Sequence, residues 1–166
     1  MSSFSKILTG ASSTRVALLA PLVFIFHVVE EAPTFVSWFN NLVEPDITTR
    51  SFLQVNVSVL VITIVLSLLF ALSKEKAAAM LFLGWLGLFM FANAIFHIIA
   101  TLVHARYSPG TVTAATLYLP YFFWFLIRLR KDFAMNFAAT VAVIFVGSLP
   151  MFAHGYLIVF EGGRLF

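Results

Sequence analysis

His27 stands three and four residues ahead of Glu30 and Glu31, spacings that bring side chains onto neighbouring parts of one helical face. Neutral imidazole and carboxylate are nitrogen and oxygen donors suited to Zn²⁺ or Fe²⁺. Asn93 and His97 repeat the four-residue interval, and His154 interrupts an otherwise apolar run. These residues define an expected chemistry. His27, His97 and His154, with Glu31, form a candidate metal-ligand set, with zinc favoured over iron. The carboxylate of Glu30 or Glu31 left out of that set would serve as general base to a bound water. Asn93 would orient a ligand or donate to an oxyanion. Tyr107 is read equally as a general acid and as an interfacial anchor. The absence of cysteine removes disulfides, thiolate metal sites and a cysteine nucleophile.

The elements that must position these groups follow from composition. Of 166 residues, 61% are hydrophobic and 10% charged, whereas a soluble domain carries about 25% charged residues. Lipid is therefore the expected solvent. Lys and Arg number 10 against 7 Asp and Glu, but they stand in ones to threes between apolar blocks and form no basic stripe. Nucleic acid is not an expected partner.

Five apolar blocks lie between short polar breaks, predicting an all-α polytopic membrane protein with transmembrane helices near 16–35, 52–72, 77–103, 111–130 and 133–160 in one domain, 1–166. The first block is short, and reaches spanning length only if helix runs through His27, Glu30 and Glu31. Pro33 opposes helix beyond. No small-x-small pattern follows this block and an acidic pair lies where cleavage would fall, so it reads as a retained helix and not a signal peptide. Continuous apolar runs without alternation disfavour strands.

Five spans sort the basic residues. Lys6, Arg15, Lys74, Lys76, Arg128, Arg130 and Lys131 fall on one side, and Arg50, Arg106 and Arg164 on the other. Seven against three predicts a cytoplasmic N-terminus, with localisation in the cell (inner) membrane. His27, Glu30, Glu31, Asn93, His97 and His154 then lie late in outward-running helices, and Gln54 and Asn56 early in an inward-running one. All fall within roughly 15 Å of the same membrane face. An ionisable side chain in a spanning helix costs about 2.5–3.5 kcal/mol on insertion scales, so agreement in depth points to one shared pocket. Ser108-Pro109-Gly110 in the loop over that face predicts a type II turn, with Pro presetting φ and Gly supplying its positive value. Thr111 or Thr113 is expected to cap or start the next helix. Gly84 and Gly87 read as helix-packing positions.

His27-Val-Val-Glu30-Glu31 followed by Ala-Pro-Thr-Phe and Trp38, then Asn93-Ala-Ile-Phe-His97, then Tyr107-Ser-Pro-Gly-Thr-Val-Thr113, resembles the HXXEE-motif family of small integral membrane proteins. The motifs occur in the family's order and span most of the chain. The resemblance implies which positions matter and suggests an enzyme, without supplying a reaction; His154, Gln54 and Asn56 rest on depth alone.

The expected function is thus a membrane-embedded metal-dependent enzyme with a His/Glu/Asn site near the outer leaflet. Its partners would be membrane lipids and an apolar or amphipathic small-molecule substrate, and the simplest reaction is hydrolysis of an ester or amide. A diiron lipid oxidoreductase is the alternative within enzymes. The alternative outside them is a proton, cation or lipid carrier or an accessory membrane subunit.

Overall fold

A computed structural model describes residues 12–165, and Lys6, one of the basic residues used for topology, lies outside them. Five helices are long and apolar enough to cross a membrane: α1 (Ser13–Glu31), α3 (Thr49–Ser73), α4 (Lys76–Val103), α5 (Thr111–Phe133) and α6 (Phe137–Glu161). A short helix α2 (Phe35–Asn40) joins α1 to α3. Among the described residues there is no strand.

The ends are set by local chemistry. The Ser12 side chain accepts from the Arg15 amide at the start of α1, Thr48 and Ser51 form a reciprocal capping box at α3, and Asn136 caps α6. Each satisfies amides that a helix start leaves without partners. Within α1 the chain turns at Leu18–Leu19 before continuing from Ala20. The span then stops at Glu31, four residues short of the expected limit. Three turn residues containing Pro33 separate it from α2, where Trp38 and Phe39 are buried.

The bundle is fixed at its far end by α1 and α5. The Ser13 amide donates to Asp132 Oδ2 at 2.6 Å, and Tyr121 Oη donates to the Val16 carbonyl at 3.0 Å. Trp85 Nε1 on α4 donates to Thr63 Oγ1 on α3 at 2.8 Å. α4 and α6 approach more closely than side chains would allow. A Cβ on Gly147 would stand 2.4 Å from the Gly84 carbonyl oxygen, and one on Gly87 would meet the Ile144 oxygen at 3.2 Å. Ser148 Oγ donates to the Gly87 carbonyl at 3.0 Å across the same contact. Small residues let backbones meet where apolar burial gives no driving force between helices in lipid.

Three spans contain a π-helical turn: Gly87–Ala92 in α4, Ala114–Tyr118 in α5 and Leu157–Glu161 in α6. Such turns shift the register of the helix beyond them and gather at functional sites. Here one ends immediately before Asn93 and another ends on Tyr118. Alternation of five spans brings the end of α1, the last turns of α4, the start of α5 and the end of α6 to one end of the bundle. Arg50, Arg106 and Arg164 mark that end, while the six other described basic residues mark the opposite one.

Gly147→Val is expected to lower the thermal unfolding midpoint in detergent by the equivalent of about 1–3 kcal/mol of overpacking. Gly163→Ala, at a position where an added methyl group would meet nothing within 4 Å, should leave the midpoint unchanged; equal midpoints for the two variants would contradict the α4–α6 contact.

Candidate metal centre

Three spacings in sequence become one cluster in space. His27 and Glu31 lie one turn apart on α1, and His97 reaches them from α4. Glu31 Oε1 stands 3.4 Å from His27 Nε2 and 3.1 Å from His97 Nε2. The two imidazoles meet edge to face with centroids 5.0 Å apart. His27, Glu31 and His97 are 2%, 5% and 0% exposed, so bulk water solvates none of them.

The far side of each ring is held by a hydroxyl. His27 Nδ1 is 2.8 Å from Thr113 Oγ1, and His97 Nδ1 is 3.0 Å from Ser108 Oγ. Thr113 Oγ1 also donates to the Gly110 carbonyl at 3.3 Å, which leaves its lone pairs to accept from His27 Nδ1–H. That arrangement places the His27 proton on Nδ1 and turns the Nε2 lone pair toward Glu31. Among the described residues, neither Nε2 has a hydrogen-bond partner of good geometry. A ligand imidazole is oriented in this way by a partner on its other nitrogen.

Tetrahedral zinc ligands at ~2.0–2.1 Å from the ion lie ~3.3 Å from one another, and the two measured nitrogen–oxygen separations match that edge. All three donor atoms fall within 4.8 Å of one another. The group can therefore hold a metal ion with little movement, through two imidazoles and one carboxylate.

The loop between α4 and α5 closes over the cluster. The Thr111 amide donates to the Ser108 carbonyl at 3.1 Å, with Pro109 and Gly110 between them and Gly110 at φ 101°, as expected for a type II turn. A Cβ on Gly110 would lie 2.8 Å from His27 Cε1, 2.9 Å from His97 Cε1 and 3.1 Å from Glu31 Cγ. Glycine is required twice, by the positive φ and by its seat on the two rings. Thr101 Oγ1 accepts from the Ser108 amide at 3.0 Å and lies 2.8 Å from Thr111 Oγ1, so the turn is tied back to α4.

Glu30 has a different task from its neighbour. One residue is about 100° of helix rotation, and its carboxylate leaves the cluster to accept from the amides of Val112 at 3.0 Å and Thr113 at 2.7 Å. It also accepts from Tyr107 Oη. Thr111 starts α5 as expected, and the cap at its positive end is this anionic acceptor and not a threonine side chain. The Tyr107 hydroxyl is pushed up to about 12, first by loss of water around it and then by the Glu30 bond and charge. It therefore remains a donor across neutral pH. Glu30 and Tyr107 position the loop, and neither lines the cavity beside the cluster.

That cavity, of about 190 Å³, includes His27, Glu31, Asn93, Asn56, Tyr118 and His154 in a mostly aromatic and aliphatic wall. Asn93 Oδ1 and Tyr118 Oη are buried without hydrogen-bond partners among the described residues. Asn93 is thus placed to meet a bound molecule, although no contact orients His97 through it. His154 shares the cavity but stands outside the three-residue group; its Nδ1 accepts from the Leu165 amide at 3.2 Å, which puts the proton of the neutral ring on Nε2 and leaves no lone pair there for a metal. Asn56 donates to the Phe52 carbonyl at 3.0 Å, and Gln54 is exposed. Ser108, Gly110 and Thr113 belong to the third sequence motif, but their spacing alone assigned them no part in the site. Tyr118, set 4.1 Å from the His27 ring by centroids, carried no signal because it sits among aromatic neighbours in an apolar run.

An all-helical membrane-type bundle with a buried His/Glu/His cluster at one end is the class that fold and site define. The chain belongs to the family described as protein of unknown function with HXXEE motif, whose model matches residues 18–125. No curated protein and no solved structure matches it.

Glu30→Gln is expected to lower stability by about 1 kcal/mol through weaker capping while leaving the three donors in place. Gly110→Ala should lower stability further and disturb both imidazoles, visible as shifted His27 and His97 ring signals in NMR spectra. Unchanged ring signals in Gly110→Ala would contradict the seat of the turn on the cluster.

Proposed function

We propose that the protein is a metal-dependent enzyme of the cell membrane that acts on a lipid-soluble substrate, most simply by hydrolysing an ester or amide. One observation carries the proposal: the two imidazoles offer Nε2 and Glu31 offers Oε1 to the same buried point. Lone pairs facing one another in a medium of low polarity repel unless a cation lies between them. Zinc is the proposed ion, bound by His27, Glu31 and His97; when bound it would polarise a substrate carbonyl and activate water.

The chain's own residues supply the rest. Glu31 turns Oε1 toward both imidazole nitrogens, leaving its second oxygen to accept a proton from water. Asn93 faces the cavity and would offer its amide to the oxygen on which negative charge develops. Thr113 and Ser108 fix the ring orientations, and Gly110 excludes water from above. The apolar wall favours a substrate delivered from the bilayer. With the end rich in Lys and Arg facing the cytoplasm, the site faces the outer leaflet.

A second reading is a proton or cation carrier, favoured by a buried carboxylate between two imidazoles within a membrane-type bundle, since intramembrane acid and imidazole groups serve proton relays. Elemental analysis of detergent-purified protein separates the two. The enzyme reading expects about one zinc per chain, lost in Glu31→Ala and His97→Ala, with affinity reduced ~10–100-fold in Ser108→Ala and Thr113→Val. A metal-free wild type showing pH-dependent flux in proteoliposomes would favour the carrier.

A further inference from the structure

The cavity beside the cluster has a charge at its wall that the proposed hydrolysis does not use. Arg164, just beyond α6, is the one Lys or Arg among its described lining residues. It is half-buried and makes no ion pair with another described residue. Its backbone is held on both sides. The Gly163 amide donates to the Leu157 carbonyl at 3.1 Å, and the Glu44 amide donates to the Gly162 carbonyl at 3.4 Å. The Leu165 amide follows with its bond to His154 Nδ1. The segment after α6 therefore lies against the loop leading to α3 and sets Arg164 in a mostly aromatic and aliphatic wall, whose other polar members include Glu31, His27, His154, Asn93 and Asn56.

Two further groups in this cavity lack partners among the described residues, Asn93 Oδ1 and Tyr118 Oη, and Tyr118 is fully buried. Leaving a buried hydroxyl unsatisfied is unfavourable, so a polar atom of a bound molecule would gain by meeting it. The remaining wall includes Phe24, Phe35, Phe52, Val59, Phe89 and Met151. At about 190 Å³ the space is smaller than the ~300–1,000 Å³ of usual small-molecule pockets. It suits one narrow chain and is too small for a lipid with two.

We infer that the cavity binds a single-chain amphiphile with an anionic head group, whose acid pairs with Arg164 and whose chain lies along the phenylalanine wall, with Tyr118 and Asn93 taking its remaining polar atoms. Arginine binds carboxylate and phosphate alike through paired N–H donors, so both head groups belong to the inferred class. This inference rests on the proposed enzyme for its biological sense, but its binding chemistry does not depend on a metal.

The test is equilibrium binding to the full chain in a neutral maltoside detergent, by competition against radiolabelled laurate. The competitors are laurate, dodecyl phosphate and dodecanol, and the proteins are wild type, Arg164→Gln and Tyr118→Phe. Laurate or dodecyl phosphate, or both, should compete at least about tenfold better than dodecanol, and Arg164→Gln should remove about tenfold of that advantage. The relative strength of the two anions tells carboxylate from phosphate. Tyr118→Phe should weaken laurate while preserving the preference for anions. Equal competition by dodecanol, or an anion preference untouched in Arg164→Gln, would overturn the inference. Metal content measured on the same samples keeps the outcomes apart: bound zinc without anion preference defeats this inference alone, and anion preference without zinc defeats the metalloenzyme alone.

Discussion

A carboxylate buried between two imidazoles governs this molecule. Glu31 lies in a medium where an isolated charge is far less stable than in water, and it is reached by two nitrogens from separate helices. That meeting fixes the relation of α1 to α4. It also explains why so much polar chemistry lies at one end of an apolar bundle: the hydroxyls of Thr113 and Ser108 orient the rings, and the 108–111 turn covers them. Gly110 is admitted there because it adds no atom between the turn and the rings.

The two adjacent glutamates divide the work by rotation about one helix. Glu31 faces inward to the nitrogens, whereas Glu30 faces the start of α5 and gathers two backbone amides and the Tyr107 hydroxyl. The cluster and its cover are thereby tied to the same two residues of α1. Should Glu30 release α5, the threonine that orients His27 would be free to move. Farther along the bundle, the glycine contact between α4 and α6 and the π-turn before Asn93 set the height at which His97 and Asn93 enter the cavity.

Much of this was legible in the sequence because membrane helices impose simple rules. Apolar run lengths predicted five spans, and the alternation of spans put His27, Glu31, Asn93 and His97 at one depth before any contact was known. Pro109-Gly110 announced its turn. Orientations within a turn of helix could not be read. Glu30 looked equivalent to Glu31, since spacings of three and four both serve a helical face, and only the position of α5 separates them. His154 had the right depth, but its ring is engaged by the Leu165 amide through a chain reversal after α6 that carries no sequence signature. Tyr118 and Arg164 carry no such signature either: one is an aromatic residue among aromatics, and the other a single charge beyond the last span that bears on topology alone. The first helix ends at Glu31 and not near residue 35 because Pro33 disfavours continuation and Phe35 begins a new helix.

Whether two histidines and one carboxylate converge to hold a metal ion is decided by X-ray absorption at the zinc edge, on protein reconstituted with one equivalent of zinc. The expected first shell is nitrogen and oxygen at ~2.0–2.1 Å with imidazole scattering from two rings, reduced to one ring in His97→Ala. A shell of oxygen alone without imidazole scattering, or a spectrum unchanged by His97→Ala, would contradict that convergence.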